Sequence, residues 1–168
     1  MKKIAIIYSF NTIKTGKIAK LIQENFTDVP VEMINAEEIT AKEFLRNKNL
    51  ILGVPTWFDG ELPNYWDEFV PELEELDLKG YTFALFGLGD QKNYPENFVD
   101  GIGILGKILE NKGAKLIGFI STEGYNFESS AALKDNMFMG LAIDYENQGS
   151  KNKERVKRWV EQLRKEFT

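Results

Sequence analysis

Five short apolar runs, Lys3–Tyr8, Val29–Ile34, Leu50–Val54, Tyr81–Phe86 and Leu116–Ile120, are separated by stretches of helical periodicity. This alternation constrains the fold more than any other feature of the chain. A run such as KIAIIY has no polar alternation, so a strand built from it is covered on both faces. Strands interleaved with helices join as parallel neighbours through right-handed crossovers. The helical stretches are legible. From Thr15 onward, Ile18, Leu21, Ile22 and Phe26 face one side and Lys17, Lys20 and Glu24 the other. Thr40–Arg46 is a short helix, and Asn64–Leu76 is one that Pro71 kinks or divides. Phe98–Asn111 is closed by Gly113, and the last helix repeats Val156, Val160, Leu163 and Phe167 with Trp159 beside them. Pro30 puts the second strand at an edge. Ser121–Gly140 breaks the rhythm, and Leu141–Ile143 completes the fifth strand beyond it. The expectation is one domain over 1–168, with its core at about 3–165 and an insertion at about 121–140. Its class is α/β, a doubly wound five-stranded parallel sheet with helices on both faces.

Composition narrows the chemistry. At 168 residues, 43% hydrophobic and 28% charged, the chain suits a soluble globular protein. It has no cysteine and no histidine, which excludes disulfides, thiolate metal sites, cysteine nucleophiles, Ser-His-Asp triads and imidazole ligands. Any chemistry is then supplied by a bound cofactor. Met1-Lys2-Lys3 precedes an apolar run of only five residues, too short for a signal peptide, and no stretch reaches membrane-spanning length. A reducing cytoplasm is the expected location. Between Asp59 and Asp77 there are eight acidic residues and no Lys or Arg, whereas Lys151–Thr168 carries seven basic and three acidic ones. Such runs are most simply solvated faces, but the acidic one disfavours a nucleic-acid partner.

In an open parallel sheet, ligands sit outside the carboxyl ends of the strands. Three loops leave those ends. Ser9–Thr15 carries Asn11, Thr12, Lys14 and Thr15 before a helix N-terminus, which suits either an anion or plain helix capping. Pro55–Gly60 exposes Trp57 and Phe58, and Gly87–Tyr94 brings Tyr94. Each aromatic taken singly reads as a core residue; together they suit a planar ring held between two loops. Two literal motifs fail. Gly101–Gly106 matches G-x-G-x-x-G but lies inside a helix, where its glycines permit close packing against the sheet. Gly16-Lys17 lacks the first glycine and the Ser/Thr of a nucleotide-binding P-loop.

At these loops the chain resembles the flavodoxins, of the long-chain kind, essentially from end to end. FNTIKT stands at the family's phosphate loop, GVPTWFDGELPNYW resembles its tryptophan loop, and FGLGDQKNYPENFVDGIGIL its tyrosine loop and following helix. GFISTEGYNFESSAAL with GLAIDYENQ resembles the long-chain insertion. The resemblance implies strand order 2-1-3-4-5 and non-covalently bound FMN. It implies a low-potential one-electron carrier, cycling between semiquinone and hydroquinone in place of ferredoxin, and not an enzyme.

By resemblance, Trp57 and Tyr94 sandwich the isoalloxazine, with Pro55, Thr56 and Gly60 framing the tryptophan loop. Asn11, Thr12, Lys14, Thr15 and nearby amides hold the phosphate. Leu88, Gly89 and Asp90 meet the pyrimidine edge, Asn97 and Phe98 follow in the tyrosine loop, and Glu146 reaches the ribityl chain. The peptide joining Phe58 and Asp59 offers its carbonyl to the flavin N5. Phe10 and Ile13 depart from the family, standing where it has a hydroxyl and a glycine. A lost charge-assisted bond costs about 1.5–3 kcal/mol, and a β-branched residue resists the positive φ that a glycine position demands. The acidic residues Asp59, Glu61, Asp67, Asp90 and Glu96 disfavour further negative charge on the ring and lower its potential.

The implied partners are oxidoreductases with basic patches: an NADP-dependent flavodoxin reductase, pyruvate:flavodoxin oxidoreductase, nitrogenase or activators of radical enzymes. Monomer is the default state, with no membrane and no metal involved. A receiver domain would need an acidic cluster after strand one and a lysine after strand five, where this chain has Ser9-Phe10-Asn11 and Ser121-Thr122-Glu123. A flavin-free binding module and a flavin-dependent reductase with its own small substrate are the remaining alternatives.

Overall fold

In the computed structural model, which describes residues 2–168 and so leaves Met1 of the N-terminal Met1-Lys2-Lys3 aside, a parallel sheet has the order β2-β1-β3-β4-β5. The strands are β1 (Ile4–Tyr8), β2 (Val31–Asn35), β3 (Asn49–Gly53), β4 (Thr82–Leu88) and β5 (Lys115–Ile117). A further strand, β9 (Leu141–Ile143), also pairs with β4. All these pairings are parallel.

The period of two along each strand divides the core. Ala5, Ile7, Leu50, Leu52, Phe83 and Leu85 point to one face, covered by α2 (Ala41–Phe44), α3 (Asn64–Leu73) and α4 (Asp100–Asn111). Ile4, Ile6, Ile51, Ala84 and Phe86 point to the other, covered by α1 (Lys14–Asn25) and α6 (Asn152–Glu166). Two fully buried tryptophans brace the helices through their only polar atom. Trp66 Nε1 donates to the Gly53 carbonyl at 2.9 Å and Trp159 Nε1 to the Gly118 carbonyl at 2.8 Å.

Some boundaries differ from the sequence reading. Pro71 does not divide α3; it lies in the last turn, exposed, and the helix stops two residues later. The second strand begins at Val31, and α4 begins at Asp100 rather than Phe98. The fourth strand runs on through Gly87 to Leu88 because β9 supplies partners for Phe86, Gly87 and Leu88.

The fifth strand is split. β5 ends at Ile117, and Gly118, at φ +81°, turns the chain out of the sheet. Ile120, read as the end of the fifth strand, instead joins Ser121 in β6 (Ile120–Ser121) of a small antiparallel sheet of order β6-β8-β7, with β7 at Leu133–Lys134 and β8 at Met137–Phe138. Leu141–Ile143 then re-enters beside β4, as the apolar run predicts.

The glycines of α4 pack closely, but only partly against the sheet. A Cβ on Gly106 would meet Leu85 and Leu116, whereas one on Gly103 would lie 2.0 Å from the Ala131 carbonyl oxygen of the insertion. The helix therefore presses against the insertion as well. Among the described residues, no helix is long and apolar enough to cross a membrane.

Candidate functional site

The carboxyl ends of β1, β3 and β4 converge on two adjoining hollows of about 320 and 560 Å³, which share Thr56, Trp57, Gly89, Asp90 and Tyr94. Three loops and one short helix, α5 (Tyr145–Gln148), build the walls.

The β1–α1 loop is fixed by Ser9 and Thr12 within it and by Asn35 and Glu37 at the end of β2 and just beyond it. Phe10 N–H donates to Asn35 Oδ1 at 3.1 Å, and Asn11 N–H donates to Ser9 Oγ at 3.2 Å. Asn11 Nδ2 donates to Glu37 at 2.8 Å, and the Thr12 hydroxyl to the Ser9 carbonyl at 2.7 Å. The side chains of Asn11 and Thr12 thus have partners within the loop and the start of the next connection. Ile13 precedes α1 at φ −88° and makes no side-chain cap. The first intrahelical donor is Lys17, to the Ile13 carbonyl at 3.0 Å, so the amides of the first turn lack intrahelical acceptors. Neither Thr12 nor Thr15 caps the helix. Thr15 is 3% exposed and lines the larger hollow. What remains to face an anion is the first-turn amides and Thr15, with Lys14 beside them in an ion pair with Glu146.

The backbone strain anticipated at Ile13 is absent, because the loop takes an ordinary right-handed conformation there. Ile13 is 76% exposed, and Phe10 lies outside the hollows with its ring against Tyr8.

The tryptophan loop is a tight excursion. Trp57 N–H donates to the Glu61 carbonyl at 2.8 Å and Glu61 N–H to the Trp57 carbonyl at 2.7 Å, leaving Phe58-Asp59-Gly60 at the tip. Phe58 has φ +50° and is 72% exposed. A non-glycine residue in this region is strained and persists only where its surroundings hold it. Gly60, at φ +89°, allows the return; a Cβ there would meet Asp100 and Asn97. The Trp57 ring stands edge-on to Tyr65 at 5.9 Å. The Tyr65 hydroxyl is buried without a partner among the described residues; burial, and then the charge of Glu37, keep it a neutral phenol.

Asp90 organises the tyrosine loop. Its Oδ1 accepts from the amides of Lys92 and Asn93 at 3.1 and 3.0 Å and from Asn147 Nδ2 at 2.8 Å; Oδ2 accepts from Asn93 Nδ2 at 2.8 Å. Partial burial pushes its pKa up, but the Asn93 amide, the Asn147 and Asn93 side chains and the Lys92 amide outweigh this and hold it below the usual carboxylate range. Tyr94 stands half exposed over the hollows. Asn97 lines the smaller hollow, whereas Phe98 is fully buried beneath Gly89 and does not line either. Pro55 and Leu88 line the larger one.

Sequence reasoning missed the support behind these loops. Asp144, fully buried, accepts from the Gln91 amide and side chain at 3.0 and 2.7 Å and caps α5 through the Asn147 amide at 3.0 Å. Tyr145 walls the larger hollow, and Glu146 faces it paired with Lys14. The signal was present: Asp144–Asn147 follow the apolar run Leu141–Ile143, whose carboxyl end lies at the same sheet edge. A third groove, of about 870 Å³, runs between the insertion and α6, away from these loops. Among the described residues there is no cluster of three or more side chains that suits a metal.

The sequence pattern of the family described as Flavodoxin matches residues 6–159. The chain belongs to the flavodoxin family. It is 39% identical to the flavodoxin of Nostoc sp. strain PCC 7120 over 166 residues, covering 99% of this chain and 98% of that protein. It is 40% identical to flavodoxin 1 of Escherichia coli strain K12, covering 96% and 93%. The Fusobacterium nucleatum flavodoxin, solved bound to flavin mononucleotide, superposes with a TM-score of 0.95 at 36% identity and full coverage of both chains. The strand order expected from the resemblance is therefore matched both by the sheet and by a solved flavodoxin.

Proposed function

We propose that this protein is a low-potential one-electron carrier that holds FMN non-covalently and serves partner oxidoreductases in place of ferredoxin. The carrying observation is that Trp57 and Tyr94 line one hollow beside a helix N-terminus whose amides are free of side-chain caps. A flat aromatic ring with a phosphate tail matches that pairing of walls and donors. The bound FMN supplies the one-electron redox chemistry.

The chain's own groups bind and tune. First-turn amides of α1, Thr15 and Lys14 take the phosphate, while Asn11 and Thr12 shape the loop that presents them. Trp57 and Tyr94 flank the ring, the backbone at Gly89 and Asp90 meets its polar edge, and the peptide between Phe58 and Asp59 offers a carbonyl from the strained loop tip. Leu88, Asn97 and Glu146 complete the lining; Phe98 acts from below by fixing Gly89. The carboxylates of Asp59, Glu61 and Asp90 oppose any further negative charge on the ring, which lowers its potential. The acid-only stretch from Asp59 to Asp77 steers the protein to basic patches on NADP-dependent flavodoxin reductases or pyruvate:flavodoxin oxidoreductases. The insertion between the halves of the fifth strand favours the long-chain type. A monomer in a reducing cytoplasm completes the reading, and the lack of cysteine is compatible with it.

Titration of the apoprotein with FMN, followed by tryptophan fluorescence and the visible flavin spectrum, tests the reading. The expected result is strong quenching and submicromolar binding, then stepwise anaerobic reduction at strongly negative potential. Electron exchange with a basic partner should slow as salt rises. A well-folded protein that binds no FMN would overturn the proposal.

A further inference from the structure

Lys14 is the only cation between Ser9 and Gly16, and its ammonium is already taken. It forms an ion pair with Glu146, the second residue of α5, and sits 5.8 Å from the centroid of the Tyr145 ring. The two side chains are 49% and 52% exposed, so the pair spans the open mouth of the larger hollow rather than lying inside the protein. The neighbouring polar side chains offer no replacement: Asn11 is bonded to Glu37 and Thr12 to the Ser9 carbonyl. The acceptor of this loop's one positive charge is therefore an internal carboxylate.

We propose that Glu146 is a built-in competitor for the ligand's phosphate monoester, and so sets how strongly the site distinguishes a phosphorylated ligand from its dephosphorylated form. The proposal rests on the FMN reading above and deepens it. A phosphate monoester brings a charge of about −1.5 to −2 at neutral pH. To bind at the start of α1 it either draws Lys14 away from Glu146 or accepts the carboxylate's charge beside its own. A ligand ending in a hydroxyl meets neither cost. In this chain, Glu146 thus moderates the anion site that the helix terminus and Lys14 create.

The test compares wild type with Glu146→Gln, which keeps the side chain's shape and hydrogen-bonding capacity but removes its charge. FMN and riboflavin are each titrated at low and high salt. The expected result is a ratio of FMN to riboflavin affinity about three- to tenfold higher in Glu146→Gln than in wild type, as Coulomb's law at partly solvated separations gives. The FMN affinity of the variant should also fall more steeply with salt, because Lys14 then meets the phosphate without an internal counter-ion. Glu146→Lys should extend the gain. Glu146 is exposed, so neither variant threatens the fold, and circular dichroism checks this.

An unchanged ratio of FMN to riboflavin affinity would overturn the proposal. So would a parallel loss for both ligands, which would make Glu146 a partner of the sugar-alcohol chain instead. A separate arm uses inorganic phosphate with the apoprotein: the rise in Tm should be larger for Glu146→Gln than for wild type, and equal rises would overturn the competition. This arm remains decisive even if wild type binds neither flavin, an outcome that would sink the carrier reading instead.

Discussion

Thr56 Oγ1 accepts the Gly101 amide hydrogen at 2.9 Å, tying the loop after β3 to the first turn of α4. Thr56 lines both hollows, and Gly101 follows Val99, which is held at φ +48° although β-branched, and Asp100, whose Oδ1 accepts the Ala131 amide at 2.7 Å. The hydroxyl thereby joins the tryptophan loop to the helix, whose Asp100 in turn holds the insertion. Thr56→Val keeps the shape and removes the acceptor, leaving a part-buried amide without its partner. The expected loss is about 1–2 kcal/mol of stability, read from urea midpoints, together with weaker FMN binding.

The depressed pKa of Asp90 has a defined pH signature. A carboxyl whose folded pKa is lowered adds stability above its unfolded value, about 3.9, and loses it as pH falls through the folded value. The stability gap between wild type and Asp90→Asn is therefore expected to be full at neutral pH and to close below about pH 4. Urea midpoints from pH 7 to 3 measure it. A gap that stays constant across that range would show that the loop does not depend on the charge.

Ile13 gives a prediction opposite to the one its place in the phosphate loop suggests. Because its φ is −88°, a glycine there relieves nothing. Ile13→Gly is expected to leave FMN affinity within about twofold and to lower apoprotein stability by about 0.4–1 kcal/mol, through added freedom of the unfolded chain. A large gain in affinity would mean that the loop changes conformation on binding.

Two glycines separate packing from chain freedom. A Cβ on Gly103 would fall within the insertion backbone, whereas one on Gly149 would meet nothing within 4 Å. Gly103→Ala is expected to cost about 1–3 kcal/mol or more by overpacking, and Gly149→Ala to be neutral or slightly stabilising. Thermal unfolding of both variants checks the contrast.

The sheet was legible because its signal is local: a run such as Ile4–Tyr8 states by composition alone that both its faces are covered. Trp57, Asp90 and Tyr94 were legible because strand carboxyl ends and loop chemistry coincide at them. What escaped depends on partners distant in the chain. Nothing near Asn11 announces that Glu37 engages its side chain, or near Lys14 that Glu146 does, and Gly118 rather than any apolar pattern decides where the fifth strand leaves the sheet. Phe98 read as a site residue because it adjoins the tyrosine loop in sequence, yet its ring turns inward beneath Gly89.

The split fifth strand also makes half of the pocket depend on a distant return of the chain. β5 follows α4 and pairs with β4 at Thr82, Phe83 and Ala84, whereas β9 pairs with β4 at Phe86, Gly87 and Leu88 after the whole insertion has doubled back. The Gly89 amide bonds the Ile143 carbonyl, and Asp90 bonds Asn147, so the loop that carries Tyr94 is anchored on that returning segment. A change in the insertion therefore reaches the pocket through β9 without touching any residue that lines it.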